Sequence, residues 1–572
     1  MSATALINIF GIALVMPFLA VIASPESIHA NHKISMLYTT FGFTQDLYFI
    51  VFLGALALVM LIITDTMAAV TTWLSAKVVS KIMARLTQRL YENYLDKEYS
   101  FFLEYNSSTL TNNLFSLSKD VSFGYLLSGM SLLSNILSIA AIVILIAYVN
   151  FAIASITVLI FGGSYLGLYF CVRKTLEQGG KARVQSSEAA YKLVSESFGG
   201  MKDIKLKGSE NVFKALLYPK LLEMNNFEAL RQIMLTMPKY ILEVIAFGGV
   251  ILIILMMLVS GYTVSTIIPL IALYVYSGYR LMPALQVVFS SFANIKVSQA
   301  SLLKIYESYT FQSEGVREMV VPKISFMKNI KVKKLSYKYE GTNQNVLSNV
   351  DFTIARNEVV GFIGATGAGK STLIDILLGL LVPSSGAVLI DGVALVSREK
   401  VRSWQALVGY VPQTIFLSDA SILENIAFGE DPNKIDIGAA KKAAEIAAIH
   451  GFITNQLPDG YSTQVGERGI KLSGGQIQRI GIARALYRKP SVLILDEATS
   501  SLDEGTELEV MRAIYNMRDD ITIIVIAHRL STVQPCNKIY LIDSGRIIDE
   551  GRLSEVMNRL KKSQGGFNDI PI

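Results

Sequence analysis

Apolar residues over the first part of the chain run in long blocks, at about 4–24, 46–76, 126–149, 151–172, 240–260 and 264–288. Each approaches the roughly 20 residues a helix needs to cross a bilayer, so the pattern predicts six transmembrane helices. After Tyr306 the pattern changes. From about Lys323 the chain shows short β-rich runs, Gly-rich turns and amphipathic helices, which is the signature of an α/β domain. The expected organisation is a transmembrane domain with cytoplasmic helical extensions over 1–306, a polar linker over 307–327 and an α/β domain over 328–572.

The polar positions orient this membrane half. Cytoplasmic loops collect Lys and Arg, and region 77–125 carries Lys77, Lys81, Arg85, Arg89, Lys97 and Lys119, while 173–232 is basic throughout. The alternate loops, 25–45, the Asn150 turn and 260–263, hold only Lys33. Both basic regions and the α/β half therefore belong on the cytoplasmic side. The basic regions are long and amphipathic, so the helices around them are expected to continue past the membrane, with candidate coupling helices near Phe101–Asn113 and Phe198–Glu210.

Composition adds a limit. Of 572 residues, 52% are hydrophobic and only 17% charged, against roughly 25% charged in a soluble domain; disorder and collagen-like repeats are excluded. With 52 Lys and Arg against 46 Asp and Glu, the net +6 is too mild and dispersed for nucleic acid to be the main partner. Two cysteines, Cys171 and Cys536, make neither a disulfide framework nor a metal ligand set. Apolar residues begin at once, without the basic segment of a secretory signal, so a first helix that starts abruptly is expected.

The chemistry lies in the α/β half. Val359–Ile363 reads as a buried strand, followed by Gly364, Ala365, Thr366, Gly367, Ala368, Gly369, Lys370, Ser371 and Thr372, and then by an apolar helix. This is the Walker A pattern in its strand–loop–helix context. Its glycines let backbone N–H groups curl around phosphate oxygens, Lys370 reaches the terminal phosphates of ATP, and Ser371 can ligate Mg2+. The apolar run Val492–Leu495 ends in Asp496 and Glu497, a strand delivering two carboxylates to its C-terminal edge. Asp496 would hold Mg2+, through water, and Glu497 would polarise the attacking water, because phosphoryl transfer needs positioning and charge neutralisation. An Asp-Glu pair can also simply cap a helix.

Between these motifs stands Leu472-Ser473-Gly474-Gly475-Gln476 at the start of a helix. In this order the motifs make the C-terminal half resemble an ATP-binding cassette over about 330–560. The resemblance implies that Tyr339 stacks on adenine, that Gln413 senses Mg2+ and contacts the membrane domain, that Asp503 closes the Ser500–Asp503 loop, and that His528 contacts the γ-phosphate. Taken alone, Tyr339 reads as a core aromatic and His528 as a satisfied buried histidine. In this family the signature Ser473, Gly474, Gly475 and Gln476 of one cassette closes over ATP on the Walker A of another. A single cassette fused to six helices then implies a homodimer with two ATP sites. Thr463–Gly469 resembles the exporter-type loop that touches intracellular helices, so the resemblance is to an ABC transporter of the exporter type: an α-helical polytopic membrane domain of six long transmembrane helices, followed by an α/β P-loop cassette in the cytoplasm of a bacterial inner membrane.

Cargo is argued from the membrane half, where ionisable residues are costly. Asp65, Glu243 and Arg280 are the candidates; Arg280 can bind a pyrophosphate or pair structurally with Asp65 or Glu243. Pro283 nearby is expected to loosen the helix. Tyr279–Pro283 and Leu14–Phe18 resemble sequences in bacterial lipid-linked oligosaccharide flippases of the PglK type, implying a polyprenyl-pyrophosphate-linked glycan as cargo. That group usually begins with a basic amphipathic elbow and a longer first helix, so a shortened first helix is expected here. The alternatives are another amphipathic lipid such as a lipid A precursor, a hydrophobic drug or peptide, or an ATP-gated channel or regulatory membrane ATPase. The absence of a peptidase-like segment ahead of the first helix weighs against a leader-cleaving peptide exporter.

Overall fold

The computed structural model describes residues 18, 21–22, 27–30, 32–149, 151, 154–155, 158–259, 264–310, 324–342, 344–499, 501–527 and 529–563, with backbone alone at some helical positions, Arg280 among them. The chain divides into two compact units, one of long helices and one built on sheets.

The helical unit contains α1 (Asp46–Leu95), α2 (Ser128–Val149), α3 (Gly163–Gly199), α4 (Glu210–Val259) and α5 (Val264–Thr310). Among the described residues, Asp46–Leu95 and the helical run Ser107–Tyr148 carry windows apolar enough to cross a membrane, with mean hydropathies of 2.8 and 2.4. The expected span 4–24 lies mostly outside the described residues; 46–76, 126–149 and 264–288 fall on described helices, and so do the described residues of 151–172 and 240–260. With 50 residues, α1 is ~75 Å long at 1.5 Å per residue, more than twice the ~30 Å hydrocarbon layer. Helix α4, also 50 residues, holds Pro219 and Pro238 inside it, and α5 runs through Pro283 as one helix. The expected coupling segments are short helices, Tyr99–Glu104 with Ser107–Asn112 in one and Met201–Lys207 in the other.

Away from the apolar stretches the helix seams become polar and small. A Cβ on Gly180 of α3 would meet the Val297 carbonyl of α5 at 2.6 Å, and one on Gly124 would meet Ser298 Oγ at 2.0 Å, so both glycines permit close helix approach. Arg183 pairs with Asp120, whose Oδ2 also accepts from Ser301 Oγ at 3.1 Å. Asn113 Nδ2 donates to Tyr94 Oη at 3.2 Å, and Ser187 Oγ to Asn112 Oδ1 at 3.3 Å. The backbone here loosens into π-helix at Asn113–Leu117 and Asp120–Leu127.

The second unit has two sheets. Strands β1 (Asn329–Tyr337), β2 (Leu347–Ala355), β4 (Ser385–Ile390) and β5 (Val393–Ala394) form an antiparallel sheet in the order β2-β1-β4-β5. Strands β3 (Val359–Ile363), β6 (Val408–Val411), β7 (Val492–Asp496), β8 (Thr522–Ile526), β9 (Lys538–Asp543) and β10 (Arg546–Gly551) form the other, ordered β10-β9-β3-β8-β7-β6. It is parallel from β6 to β9, with only β10 antiparallel. Every residue of β3, β7 and β8 is buried, as expected for parallel strands covered on both faces. Alternate residues feed two cores: Leu493, Leu495, Ile523 and Val525 face one, and Val492, Ile494, Ile524 and Ile526 the other. The central strands are thereby fixed, and their C-terminal ends form one edge.

Candidate active site

The loop after β3 is shaped by backbone that only glycine takes readily. Gly364, Gly367 and Gly369 have φ of 156°, 82° and 101°. At Gly364 a Cβ would also lie 2.1 Å from the Ile542 carbonyl of β9, so strand packing as well as the turn demands glycine. The loop opens α6 (Lys370–Leu377). Lys370 is buried, and its Nζ donates to the carbonyls of Gly364 at 2.6 Å and Ala365 at 2.9 Å. Burial lowers its pKa, while the carboxylates of Glu497 and Asp496 pull the other way. Those opposing influences place the ammonium and both carboxylates in one electrostatic neighbourhood. Ser371 is exposed, and Thr372 Oγ1 sits 3.1 Å from Tyr339 Oη, so the aromatic expected at the adenine lies beside Walker A.

β7 ends on Asp496, which is buried. Tyr410 Oη, from β6, donates to its Oδ2 at 3.4 Å. Glu497 follows with φ 49°, a left-handed conformation costly for a residue with a Cβ. Its amide donates to Ile526 O at 3.0 Å, closing the β7–β8 ladder. Gln413 Nε2 donates to Glu497 Oε2 at 2.6 Å. Gln413 and Glu497 are 84 residues apart in sequence and meet because β6 and β7 are adjacent.

The signature turn is a capping box. Ser473 Oγ accepts from Gln476 N at 3.3 Å, and Gln476 Oε1 accepts from Ser473 N at 2.8 Å. These bonds satisfy the first amides of α7 (Gly474–Tyr487). A Cβ on Gly475 would touch Leu502, so the signature lies against the loop after β7. Asp503 caps α8 (Glu504–Tyr515), accepting from Thr506 N at 3.0 Å; that backbone bond holds its carboxyl below the usual range.

Of the remaining expected positions, Ser500 and His528 lie outside the described residues, as does the Arg280 side chain. Glu243 has an ion-pair partner one turn back, Lys239 at 3.8 Å.

Three contributors were not singled out from sequence. Gln478, 3% exposed, donates to Glu497 O at 3.4 Å and accepts from Ser501 N at 2.9 Å, joining the signature helix to the exit of β7, the Walker B strand that delivers Asp496 and Glu497. Glu507 is a buried carboxylate in the first turn of α8. Asp375 of α6 has its carboxyl pushed up to about 6, by burial first and by Asp496 second. Only the burial of polar residues on otherwise amphipathic helices signals them, and sequence shows that only once the helix faces are assigned.

A family model described as "ABC transporter" matches residues 347–500, and one described as "ABC transporter transmembrane region" matches 2–281. The heterocyst differentiation ATP-binding protein HepA of Nostoc sp. is 28% identical over 486 residues, 84% of this chain and 77% of that protein. ABC transporter B family member 29, chloroplastic, of Arabidopsis thaliana is 36% identical over 49% of this chain and 44% of its own length. The alpha-hemolysin translocation ATP-binding protein HlyB of Escherichia coli is 35% identical over 50% of this chain. The match spans only 40% of HlyB. A solved structure of a bacterial Atm1-family ABC exporter with ATP bound superposes with a TM-score of 0.79 at 22% identity, covering 99% of this chain and 98% of that one. The exporter fold, a helical transmembrane domain followed by an α/β cassette, is therefore the fold of this protein. The chain belongs to the ABC transporters, with membrane region and cassette in one polypeptide, and is an ATPase coupled to transport.

Proposed function

We propose that two copies of this chain form an ATP-driven exporter or flippase in a bacterial cytoplasmic membrane, with Glu497 as the residue that polarises the attacking water. The Gln413–Glu497 hydrogen bond of 2.6 Å beside Asp496 and Lys370 carries this reading. Lys370 neutralises terminal phosphate charge, and the Walker A amides hold the phosphates. Gln413 fixes the Glu497 carboxylate so that it can take up a proton from in-line water. Ser371, Gln413 and Asp496 offer a hydroxyl, an amide oxygen and a carboxylate, a hard-oxygen set suited to Mg2+, which neutralises charge on the phosphates when bound. Among the described residues no three His, Cys, Asp or Glu side chains gather to hold a metal alone, so the nucleotide is expected to complete its coordination. His528 contacts the γ-phosphate, Tyr339 the adenine, and Ser473, Gly474, Gly475 and Asp503 of the second copy close the site.

For the cargo we retain a polyprenyl-pyrophosphate-linked oligosaccharide, supported by Arg280 within α5 and by the Tyr279–Pro283 resemblance. The toxin translocators among the relatives favour a peptide as the second reading.

The test is Glu497→Gln in proteoliposomes. Hydrolysis is expected to fall ~100-fold or more, with ATP binding retained; hydrolysis at the normal rate would refute the catalytic assignment. Wild-type vesicles that move a fluorescent pyrophosphate-linked glycan support the flippase, whereas transport of peptide alone overturns the glycan assignment.

A further inference from the structure

Beyond Glu497 and Ile526 the parallel β7–β8 ladder has ended, and among the described residues no strand pairing joins the two emerging segments. Both segments flank positions the reaction needs. Thr499 lies two residues after Glu497, and Arg529 directly follows position 528. One side chain grips both. Glu507 Oε1 accepts from Thr499 Oγ1 at 2.8 Å and from Thr532 Oγ1 at 3.0 Å, and Glu507 Oε2 accepts from Arg529 Nη1 at 2.7 Å. Glu507 is 6% exposed, with Thr499 and Thr532 also buried. A carboxylate this deeply buried requires donors, and all three come from these two segments.

Helix α8 starts where the Walker B exit loop ends. Its cap, Asp503, accepts from Thr506 N, and the Glu507 amide donates to Asp503 O at 2.8 Å. The loop 497–503 is therefore closed on itself: its far end begins α8, and a side chain one turn into α8 reaches back to Thr499. Gln478 holds the same loop from the signature helix.

We propose that Glu507 is a positioning residue for ATP hydrolysis, a buried carboxylate that keeps the exits of β7 and β8 in register so that Glu497 faces the γ-phosphate. The proposal rests on the reading of Glu497 given above. Glu507 touches no substrate and acts through Thr499 and Arg529. Gln at this position preserves the connectivity, because its amide oxygen accepts from Arg529 and its NH2 donates to the threonine hydroxyls, which accept as well as donate. Ala removes it.

The experiment measures steady-state ATP hydrolysis, ATP affinity and thermal melting of the full-length protein in proteoliposomes for E507A, E507Q and T499V, with E497Q as control. For E507A, kcat is expected to fall ~30-fold or more while the KM for ATP stays within about twofold; E507Q should return to within about threefold of the parent. T499V is isosteric, keeps the buried carboxylate paired to Arg529 and Thr532, and is expected to lose about threefold to tenfold in kcat at unchanged KM, so the proposal stays testable if E507A does not fold. A kcat within twofold of the parent in E507A or T499V, an equal loss in E507A and E507Q, or a rise in KM at constant kcat would overturn it. Normal hydrolysis by E497Q would instead sink the reading of Glu497, whereas the expected loss in E497Q beside an unchanged kcat in E507A or T499V would sink the role of Glu507 alone.

Discussion

The two halves of this protein spend their polar residues differently. In the cassette, four buried polar side chains sit at the C-terminal end of a parallel strand or in the segment after it: Lys370 after β3, Asp496 on β7, Thr499 beyond it and Thr532 after β8. They converge because parallel strands share one edge. In the membrane half the buried polar residues Asn112, Asn113, Ser118, Ser122, Ser186, Ser187 and Ser301 line the seams between helices, held by small clusters of bonds such as Arg183–Asp120–Ser301. A sheet edge gathers groups to do chemistry on one ligand. A helix seam made of small groups joined by a few such clusters has few interlocking contacts to break when helices slide, which suits a unit that must alternate between arrangements.

Three substitutions probe this contrast. Gly364→Ala places a Cβ against the Ile542 carbonyl at a strained φ, and should cost about 4 kcal/mol or more between overpacking and backbone strain. The expected result is lost nucleotide binding together with a lower cassette melting temperature; normal binding would show that the β3 edge is softer than its packing implies. Arg183→Ala in the helical seam leaves Asp120 with Ser301 as its remaining named partner. Both members of the pair are about 80% covered, with side-chain exposures of 21% and 20%. The expected cost is about 2–3 kcal/mol, less than for a fully buried pair, read as a lower melting temperature of the helical unit with ATP affinity unchanged. A loss of ATP affinity would erase the distinction between seam and edge.

Asp375→Asn has the smallest effect and the opposite sign. Burial and Asp496 raise the carboxyl to about 6, from an unfolded value near 4. The folded state therefore holds its proton more tightly. Stability linked to this group is full below about pH 4 and is lost as pH rises through 6. Removing the charge should stabilise the nucleotide-free protein by about 1–2 kcal/mol above pH 7, with the gain fading as pH falls from about 6 to about 4 and absent below that. Melting curves at pH 4, 6 and 8 check this, and a gain that does not depend on pH would refute it.

Much of the cassette was legible because its motifs are local. Three glycines within six residues, a lysine opening a helix and two acids ending an apolar run each encode their own turn, and the capping box at Ser473 is written in four consecutive residues. The division into a helical membrane domain and a cassette was legible because lipid demands long apolar runs. Cargo recognition was not, since Arg280 can bind a ligand or a neighbouring carboxylate and its periodicity is the same in either case. Glu507 was passed over because a glutamate one turn after an N-cap is ordinary on an exposed helix.

The chain's own order of residues determined that it has a lipid-solvated half and a water-solvated half, where the phosphate loop lies, and which acids end the Walker B strand. All of that depends on spacings of a few residues, fixed by backbone geometry and by the length of an apolar run. Tertiary structure alone decided that Gln413 meets Glu497, that Glu507 ties Thr499 to Arg529, that Gly364 must clear Ile542, and that Arg183 finds Asp120 across 63 residues. Those partners are chosen by the strand order β9-β3-β8-β7-β6 and by helix packing, where contacts between distant residues depend on which faces are buried together.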